Sequence, residues 1–348
     1  DPVAIGGGGD SILGRSSSHP VQMWRSGPFV RVPQNTQRSG MIALSRSRSI
    51  ERLSRRGARR ATALSPRNFR KAWYRSPMLR LHDIRRRFDR AAATFDDADF
   101  LHAVTREGLL TRLEPLLLQP TTILDLGSAT GATGRLLRKR FKRAHLVSLD
   151  LSRAMLRAAR KNRPWLSRMS FLQGNARQLP FADGSFDLVT ANQMLPWDPE
   201  PQTVFAEVAR VLKKGGVFAF ATLGPDSLRE LDRAWAAVDS HPHVNRFPDM
   251  HDIGDGLVRA GLADPVLDVD RLAVSYEDPA RLFADLTRIG ARNTHQGRGR
   301  GLMGKQRFRA MTRALTAAGS DGPILLDLEL VYGHCWGSGP RPDPANYR

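Results

Sequence analysis

Short runs of β-branched and aliphatic residues alternate with amphipathic stretches through the middle of the chain. Five such runs are bounded by polar or glycine-rich segments, a pattern typical of buried strands. We predict these strands at 122–126, 144–149, 169–172, 185–191 and 217–222. Apolar residues recur at helical spacing over 135–141 and 201–212, which predicts helices there. Strands that alternate with helices of these lengths predict an α/β fold with a doubly wound, mostly parallel sheet.

A glycine-rich turn follows the first predicted strand. Residues 127–134 read G-S-A-T-G-A-T-G, and a helical stretch comes next. A strand, a glycine turn and a helix in this order let the backbone approach a ligand closely at the carboxyl edge of a parallel sheet. The second predicted strand runs into Asp150, whose carboxylate can accept both hydroxyls of a ribose. The combination predicts a site for an adenosine-containing cofactor.

The same turn differs from two other nucleotide-binding motifs. The dinucleotide fingerprint G-x-G-x-x-G needs a second glycine that the turn lacks, and a phosphate-binding loop needs a Gly-Lys-Ser/Thr ending. A cofactor without a phosphate group therefore fits better. The D-L-G-x-x-x-G form resembles motif I of the class I S-adenosylmethionine-dependent methyltransferases. This resemblance implies S-adenosyl-L-methionine as the cofactor.

The basic charge of the chain is concentrated near its amino-terminal end. The chain has 348 residues and a formal net charge of +20. Residues 1–77 contain fifteen Lys and Arg against three Asp and Glu, which leaves a charge of about +8 for residues 78–348. The first segment is rich in Ser, Gly, Pro and Arg, so we predict a disordered extension. Three interpretations of it stay open: a basic arm, a mitochondrial-type transit peptide, or translated sequence upstream of Met78.

Composition limits the class of protein to which the chain can belong. No apolar run is long enough to span a bilayer, and no signal peptide is evident. The single cysteine, Cys335, rules out an internal disulfide and argues against a Cys-based zinc site. We predict a cytoplasmic protein without a metal, with a methyltransferase domain over 78–336 and a flexible tail over 337–348. A mitochondrial location is the alternative if residues 1–77 are a transit peptide.

Three later segments carry a more specific resemblance. They read H-V-N-R-F at 243–247, D-M-H-D-I-G-D at 249–255 and D-L-T-R-I-G-A-R-N at 285–293. With these segments, residues 83–336 resemble the malonyl-[acyl-carrier protein] O-methyltransferases of biotin synthesis, and more distantly the mitochondrial complex I assembly factors that hydroxylate arginine. The resemblance implies a class I methyltransferase fold with a seven-stranded sheet, a helical amino-terminal segment and an insertion after strand five. It also implies methylation of the free carboxylate of a malonyl thioester on acyl carrier protein.

The resemblance assigns candidate residues to the cofactor and to the acceptor. The cofactor-binding candidates are Asp125, Gly127, Ser128, Gly131, Asp150, Leu151, Asn175, Ala176 and Asn192. Arg246 is the first candidate for the acceptor, because a guanidinium can bind a carboxylate through two hydrogen bonds. Trp197 closes the sequence N-Q-M-L-P-W, where the family carries N-L-x-x-x-W, and its ring can face the sulfonium methyl group. Asn192, at the start of that sequence, is expected to face the methyl-transfer site.

Three positions depart from the family pattern. The triplet Ser128-Ala129-Thr130 lacks a glycine that is usual there, Asn175 replaces an acid, and Phe95 stands where tyrosine is common. We expect these changes to affect affinity and rate more than fold. Two other functions stay open: a methyltransferase-fold assembly factor that acts on a protein partner and, with less support, an RNA methyltransferase.

The expected protein partner is an acyl carrier protein, which is typically acidic. A catalytic region with a charge of about +8 suits such a partner electrostatically. The candidate docking patch surrounds a glycine-rich loop and consists of Arg292, Arg298, Arg300 and Lys305. Nucleic acid and membranes are not expected partners, and the oligomeric state is left open.

Overall fold

The computed structural model describes residues 30–31, 42–43, 80–165, 167–293, 304–317 and 323–338. Most of the predicted extension over 1–77, the predicted start at Met78 and most of the predicted tail lie outside these residues. Arg298 and Arg300 of the predicted docking patch also lie outside them.

One mixed sheet organises the described part of the chain. Its seven main strands are β1 (Thr122–Leu126), β2 (His145–Asp150), β3 (Met169–Gln173), β4 (Phe186–Asn192), β5 (Leu212–Leu223), β6 (Leu262–Tyr276) and β7 (Ile324–Gly337). Their order is β6-β7-β5-β4-β1-β2-β3. Strands β1 to β5 pair in parallel, whereas β7 pairs antiparallel with both β5 and β6. The predicted doubly wound, mostly parallel sheet is confirmed.

Two short segments extend this sheet beyond β6. Val30–Arg31 and Ile42–Ala43 each pair antiparallel with β6.

Helices cover the two faces of the sheet. In the described residues they are α1 (Leu81–Ala91), α2 (Phe100–Arg112), α3 (Ala132–Arg140), α4 (Arg153–Lys161), α5 (Pro201–Val211), α6 (Arg229–Ala236), α7 (Met250–Ala260), α8 (Pro279–Arg288) and α9 (Lys305–Ala317). Short 3₁₀ turns lie at Phe95–Asp97, Glu114–Leu116 and Leu195–Trp197. Among these helices, none has both the length and the hydrophobicity needed to cross a bilayer.

The element boundaries follow the predicted ones closely, with two informative differences. Helix α3 begins at Ala132 instead of 135, because Gly131 is already its left-handed N-cap residue. Strand β5 begins at Leu212 instead of 217, directly after α5. Phe186 pairs with Leu212 and Leu188 pairs with Val217, so residues 213–216 form a bulge opposite β4. Gly215 and Gly216 lie within this bulge.

The alternating side chains of β5 pack into two separate cores. Val217, Ala219 and Ala221 join the core that also contains residues of α2, α6 and α9. Phe218 and Phe220 join the core on the other face, with residues of α5 and α7. Because successive strand residues point to opposite faces, this single strand anchors both layers of helices.

An ion cluster fixes α2 against the sheet. The Arg112 guanidinium lies 3.8 Å from the centre of the Tyr332 ring. Its Nε donates to Asp268 at 2.8 Å, and an Nη donates to Asp270 at 2.9 Å. These contacts join the end of α2 to β6 and β7. The position of α2 matters for function because two of its side chains enter the cavity described below.

We predict that Gly333→Ala destabilises the fold. A Cβ at Gly333 would overlap the Phe220 ring, which is fully buried. Overpacking of this kind costs about 1–3 kcal/mol, and it should lower the midpoint of thermal unfolding. In a Phe220→Leu background the added methyl group has room, so the cost of Gly333→Ala should fall below about 1 kcal/mol. Equal costs in both backgrounds would contradict this packing account.

Candidate active site

The glycine turn is held at the carboxyl edge of the sheet between β1 and β2. Gly127 N and Ser128 N donate to Leu149 O at 2.8 Å and 3.1 Å. Gly127 and Gly131 have φ of 69° and 80°, values that favour glycine. A Cβ at Gly127 would also overlap the Met194 side chain. The sequence therefore places glycine at two positions where another residue would be strained.

Asp150 links the end of β2 to this turn. Its Oδ2 accepts the N–H of Ala129 at 2.8 Å, and its Oδ1 accepts the N–H of Ser152 at 2.7 Å. Burial is the largest influence on this carboxyl, and it raises the pKa of Asp150 to about 6. The carboxylate lines a cavity at the edge of the sheet, as a ribose-binding group should.

Most of the predicted cofactor residues line that one cavity, which we call the cofactor cavity. They are Gly127, Ser128, Asp150, Leu151, Asn175, Ala176 and Asn192. Asn175 follows β3, and its Oδ1 already accepts the N–H of Arg177 at 3.0 Å. A carbonyl oxygen has two lone pairs, so this atom retains the capacity to accept a second hydrogen bond.

Two predicted cofactor residues do not line the cofactor cavity. Asp125 is buried behind the turn, where its Oδ1 accepts the Thr190 hydroxyl at 3.3 Å. Burial raises the pKa of Asp125 to about 7. Gly131 lies at the start of α3, and a Cβ there would come within 3.0 Å of the Ala159 Cβ. The structure gives both residues a role in shaping the turn, without placing either against the cavity.

The amino-terminal helices form the roof of the cofactor cavity. Asp89 of α1 accepts the Ser152 hydroxyl at 2.7 Å and the Ala154 N–H at 3.1 Å. The Thr130 hydroxyl donates to Asp96 at 2.5 Å. Phe95, beside Asp96, is buried and lines the cavity with its ring. The position where tyrosine is common therefore supplies an apolar wall.

A second and larger cavity adjoins the first. Its volume is about 730 Å³, and most of its lining is apolar. We call it the acceptor cavity. Three residues line both cavities and so mark the place where they meet: His102 of α2, Gln193 directly after β4, and Trp197 of the 3₁₀ turn. The Trp197 ring stands edge-on to Phe88 of α1 with 5.2 Å between the ring centres.

Several polar atoms near this junction have no hydrogen-bond partner among the described residues. They are His102 Nδ1, Asn192 Oδ1 and Gln193 Nε2. Burial, with a smaller contribution from Arg106, lowers the pKa of His102 to about 4. His102 is therefore neutral at pH 7. Buried polar atoms without partners are uncommon, and their grouping beside two cavities indicates a ligand-binding role.

Arg106 brings a positive charge to the cofactor cavity. It lies one helical turn after His102 on α2 and lines the cofactor cavity but not the acceptor cavity. Its partner is Asp99, with 3.4 Å between Nη1 and Oδ2. Sequence reasoning missed Arg106 and His102, since nothing local shows that this face of α2 turns toward the cavity. Gln193 was also missed, although its place after a parallel strand is a signal for a ligand-binding residue.

The structure does not bring Arg246 to either cavity. Its side chain is exposed, whereas its neighbours Asn245 and Phe247 line the acceptor cavity. In the same segment His243 stacks on Trp235 at 3.9 Å between ring centres and contacts Asp239 at 2.8 Å. The conformation that seats His243 in the wall leaves Arg246 at the surface. Arg246, the first candidate for binding the acceptor, therefore lines neither cavity in this structure.

Comparisons with known proteins agree with this geometry. The family described as Methyltransferase domain matches residues 124–220. The malonyl-[acyl-carrier protein] O-methyltransferase of Laribacter hongkongensis is 43% identical over 267 residues, which cover 74% of this chain and 90% of that protein. The protein of the same name from Gallionella capsiferriformans is 41% identical over 267 residues, with coverages of 74% and 91%. The crystal structure of the YcgJ protein from Bacillus subtilis has a TM-score of 0.50 at 17% identity over 68% of this chain and 100% of that chain, a likeness of fold alone.

We predict that affinity for S-adenosyl-L-methionine falls below pH 6. An ionised Asp150 accepts hydroxyl hydrogen bonds, whereas a protonated one has to give up part of this capacity. Because the pKa of Asp150 is about 6, the dissociation constant should rise up to about tenfold per pH unit below that value. Titration calorimetry from about pH 5 to about pH 8 measures it. Asp150→Asn should bind weakly with no inflection near pH 6, and an unchanged inflection in that variant would assign the titration to another group.

Ala129→Gly should stabilise the protein. Ala129 has a φ of 45°, the left-handed region that disfavours residues with a Cβ. Glycine relieves a backbone strain of about 1–2 kcal/mol. This exceeds the free-energy cost of the greater flexibility that glycine gives the unfolded chain, so the free energy of unfolding should rise by about 0.5–1 kcal/mol. Urea unfolding measures it. Ala158→Gly, within α4, should instead cost about 1 kcal/mol, and a similar loss at both positions would show that Ala129 is not strained.

Proposed function

Because this chain belongs to the malonyl-[acyl-carrier protein] O-methyltransferase family, we propose that it methylates the free carboxylate of a malonyl group carried as a thioester on acyl carrier protein. S-adenosyl-L-methionine is the methyl donor, and the product is the methyl ester that enters biotin synthesis. The observation that carries this function is the meeting of the cofactor cavity with a large apolar cavity at His102, Gln193 and Trp197.

The residues of the cofactor cavity fit S-adenosyl-L-methionine. Asp150 would accept the ribose hydroxyls, and Asn175 and Ala176 would face the adenine. The Arg106 guanidinium would bind the carboxylate of the methionine part, since it is the cationic side chain among the described residues that line this cavity. When bound, the cofactor supplies an electrophilic methyl group on a sulfonium. Trp197 and Phe88 would place aromatic surface near that cation.

The acceptor needs no general base. A malonyl carboxylate has a pKa well below 7, so its oxygen is already ionised and nucleophilic at neutral pH. Among the described residues, those that line both cavities include a neutral His102 and no carboxylate that would compete for the methyl group. What the protein has to supply is a dry site and the alignment of the oxygen with the methyl carbon. The aromatic side chains that line the cavities and the roof formed by α1 and α2 would exclude water and support this alignment.

The acceptor cavity fits the arm that carries the acyl group. Acyl carrier proteins present their substrates on a long phosphopantetheine arm, and a cavity of about 730 Å³ with an apolar lining suits its extended chain. Arg292, Lys305 and Arg309 also line this cavity. Their charges suit the phosphate of the arm and the acidic surface of the carrier. The positions of Arg292 and Lys305 thus support the predicted docking patch. The cytoplasmic location of the protein stays a prediction.

The test is methyl transfer from labelled S-adenosyl-L-methionine to malonyl carrier protein. The expected product carries the label as a methyl ester, so mild alkali should release it, and acetyl carrier protein should accept none. Asp150→Ala should abolish transfer, because it removes the ribose-binding carboxylate. Cofactor binding with no transfer to malonyl carrier protein would contradict the function and favour the assembly-factor alternative. Label that is stable to alkali would mean that a different atom is methylated.

A further inference from the structure

A group of exposed cations lies at the amino edge of the sheet, where the parallel strands begin. The sequence from 139 to 168 contains ten Lys and Arg and one acid, Asp150, which ends β2 at the carboxyl edge. Eight of the ten cations lie in the last turns of α3 and α4 or in the loops that lead into β2 and β3. In parallel strand–helix–strand units, helices end and strands begin at the same edge, opposite the ligand-binding edge. All eight side chains are exposed: Lys139, Arg140, Lys142, Arg143, Arg160, Lys161, Arg163 and Arg168.

Two apolar side chains stand out at the same edge. Leu117 and Trp165 are the most exposed large apolar residues of the described chain, at 87% and 90%. Leu117 lies in the loop before β1, and Trp165 lies in the loop before β3. Because only β2 separates these two strands, their starts lie about 10 Å apart. Leu117 also has a φ of 46°, a left-handed value that costs free energy for a residue with a Cβ. We call the eight cations, Leu117 and Trp165 the amino-edge surface.

The cations of the amino-edge surface are not neutralised within the described chain. No Asp or Glu forms an ion pair with any of the eight among the described residues. Arg140 and Arg160 donate to main-chain oxygens, Leu110 O at 2.9 Å and Phe171 O at 3.1 Å, and these contacts leave their charges uncompensated.

Acids on neighbouring loops of this edge do not cancel that charge. Asp183 lies before β4 and pairs with Arg210 at 2.8 Å, and Asp187 lies at the start of β4 and pairs with Lys213 at 2.8 Å. Glu114 is exposed and lies three residues before Leu117. Positive charge therefore dominates the amino-edge surface.

The position of this surface argues against the carrier protein as its partner. The six residues of β2 separate the surface from Asp150 and the glycine turn by about 20 Å. A carrier protein bound here would lie at the opposite edge of the sheet from the acceptor cavity that has to receive its arm.

An anionic bilayer fits the three features of the surface better than a nucleic acid does. A nucleic acid would use the cations and could stack a base on Trp165, but the aliphatic Leu117 offers no π-face for stacking. A bilayer uses all of them. Cations bind the anionic headgroups, tryptophan prefers the membrane–water interface, and leucine can enter the boundary of the acyl chains.

We propose that the amino-edge surface binds an anionic phospholipid bilayer from one side, without crossing it. Leu117 and Trp165 enter the headgroup region, and the eight cations bind lipid phosphates. Both cavities then face away from the membrane, where a carrier protein can reach them. The sequence does not predict a membrane partner, because Leu117, Trp165 and the cations come together only in the fold. This inference goes beyond the proposed function and does not depend on it.

The experiment measures co-sedimentation of the full-length protein with lipid vesicles. Vesicles with about one third phosphatidylglycerol in phosphatidylcholine should bind the wild type at least about tenfold more tightly than pure phosphatidylcholine vesicles. Raising the salt from about 0.1 M to about 1 M shortens the Debye length from about 10 Å to about 3 Å, so it should release the protein.

Two double variants test the two kinds of contact. In Arg143→Glu/Arg163→Glu the partition coefficient should fall at least about thirtyfold, because two cations at the lipid surface are lost. In Leu117→Ser/Trp165→Ser it should fall about tenfold, because less apolar surface is buried. Binding of the wild type should shift the tryptophan emission to shorter wavelength, and Trp165→Phe should bind the vesicles with most of this shift lost.

The matched control is Arg307→Glu/Arg313→Glu. It makes the same change in charge at two exposed positions of α9, outside the amino-edge surface. Its partition coefficient should stay within about threefold of the wild-type value, since screening weakens the effect of distant charges. Residues 1–77 are the same in every variant, so a difference between variants reports on the surface. The dissociation constant of S-adenosylhomocysteine should stay within about twofold in all variants, which shows that the fold is intact.

Each outcome decides for or against the proposal. Loss of vesicle binding in both amino-edge double variants, with the control unchanged, supports it. Equal binding in all variants, or an equal loss in the control, overturns it. Loss in the charge variant alone overturns the insertion of Leu117 and Trp165. Absence of wild-type binding to anionic vesicles also overturns the proposal, and single-stranded RNA retained by the wild type but not by Arg143→Glu/Arg163→Glu would then assign the surface to nucleic acid. Methyl transfer is measured separately, so the proposed function stands or fails on its own.

Discussion

The two hydrogen bonds that Asp150 accepts hold the active site together. One comes from Ala129 in the glycine turn and the other from Ser152 at the start of α4, so a single carboxylate ties the turn to the end of β2. Asp89 of α1 then attaches to the same Ser152, which brings the roof over the cavity. The glycine turn, the end of β2 and the roof of the cofactor cavity are therefore all held by the short loop at residues 150–152. The same carboxylate faces the cavity, so the group that organises the site is also suited to bind its ligand.

Charge is distributed unevenly between the two cavities, in a way that matches the chemistry. The cofactor cavity contains Arg106 and Asp150, which suit a zwitterionic ligand with a ribose. Among the described residues, the three that line both cavities are neutral: His102, Gln193 and Trp197. Methyl transfer from a sulfonium to a carboxylate neutralises two opposite charges, and a neutral, dry junction does not oppose that change. Cations reappear along the acceptor cavity, where the phosphate and the acidic carrier would lie.

Much of the fold and the cofactor site could be predicted from the sequence, because the signals are local. Strand periodicity, the glycine turn and Asp150 depend on neighbouring residues, and the first strand lies where it was predicted, at Thr122–Leu126. Arg106 and His102 could not be predicted. They face the cavity because Arg112 binds Asp268 and Asp270 and so fixes the position of α2. These two partners lie 156 and 158 residues after Arg112 in the sequence. Arg246 is a different case, because its sequence motif is specific and yet its side chain lies outside both cavities. In the same segment His243 stacks on Trp235, and Arg246 is left exposed. Sequence patterns locate a segment, and packing decides which of its side chains reach the ligand.

The most direct test of this account is a crystal structure with S-adenosylhomocysteine and a malonyl-pantetheine analogue bound together. The account predicts that the sulfur and the carboxylate lie on opposite sides of the junction, with the pantetheine chain in the acceptor cavity toward Arg292. It would be contradicted if the acyl group bound at the surface near Arg246, or if the carboxylate lay too far from the sulfur for a methyl group to bridge them.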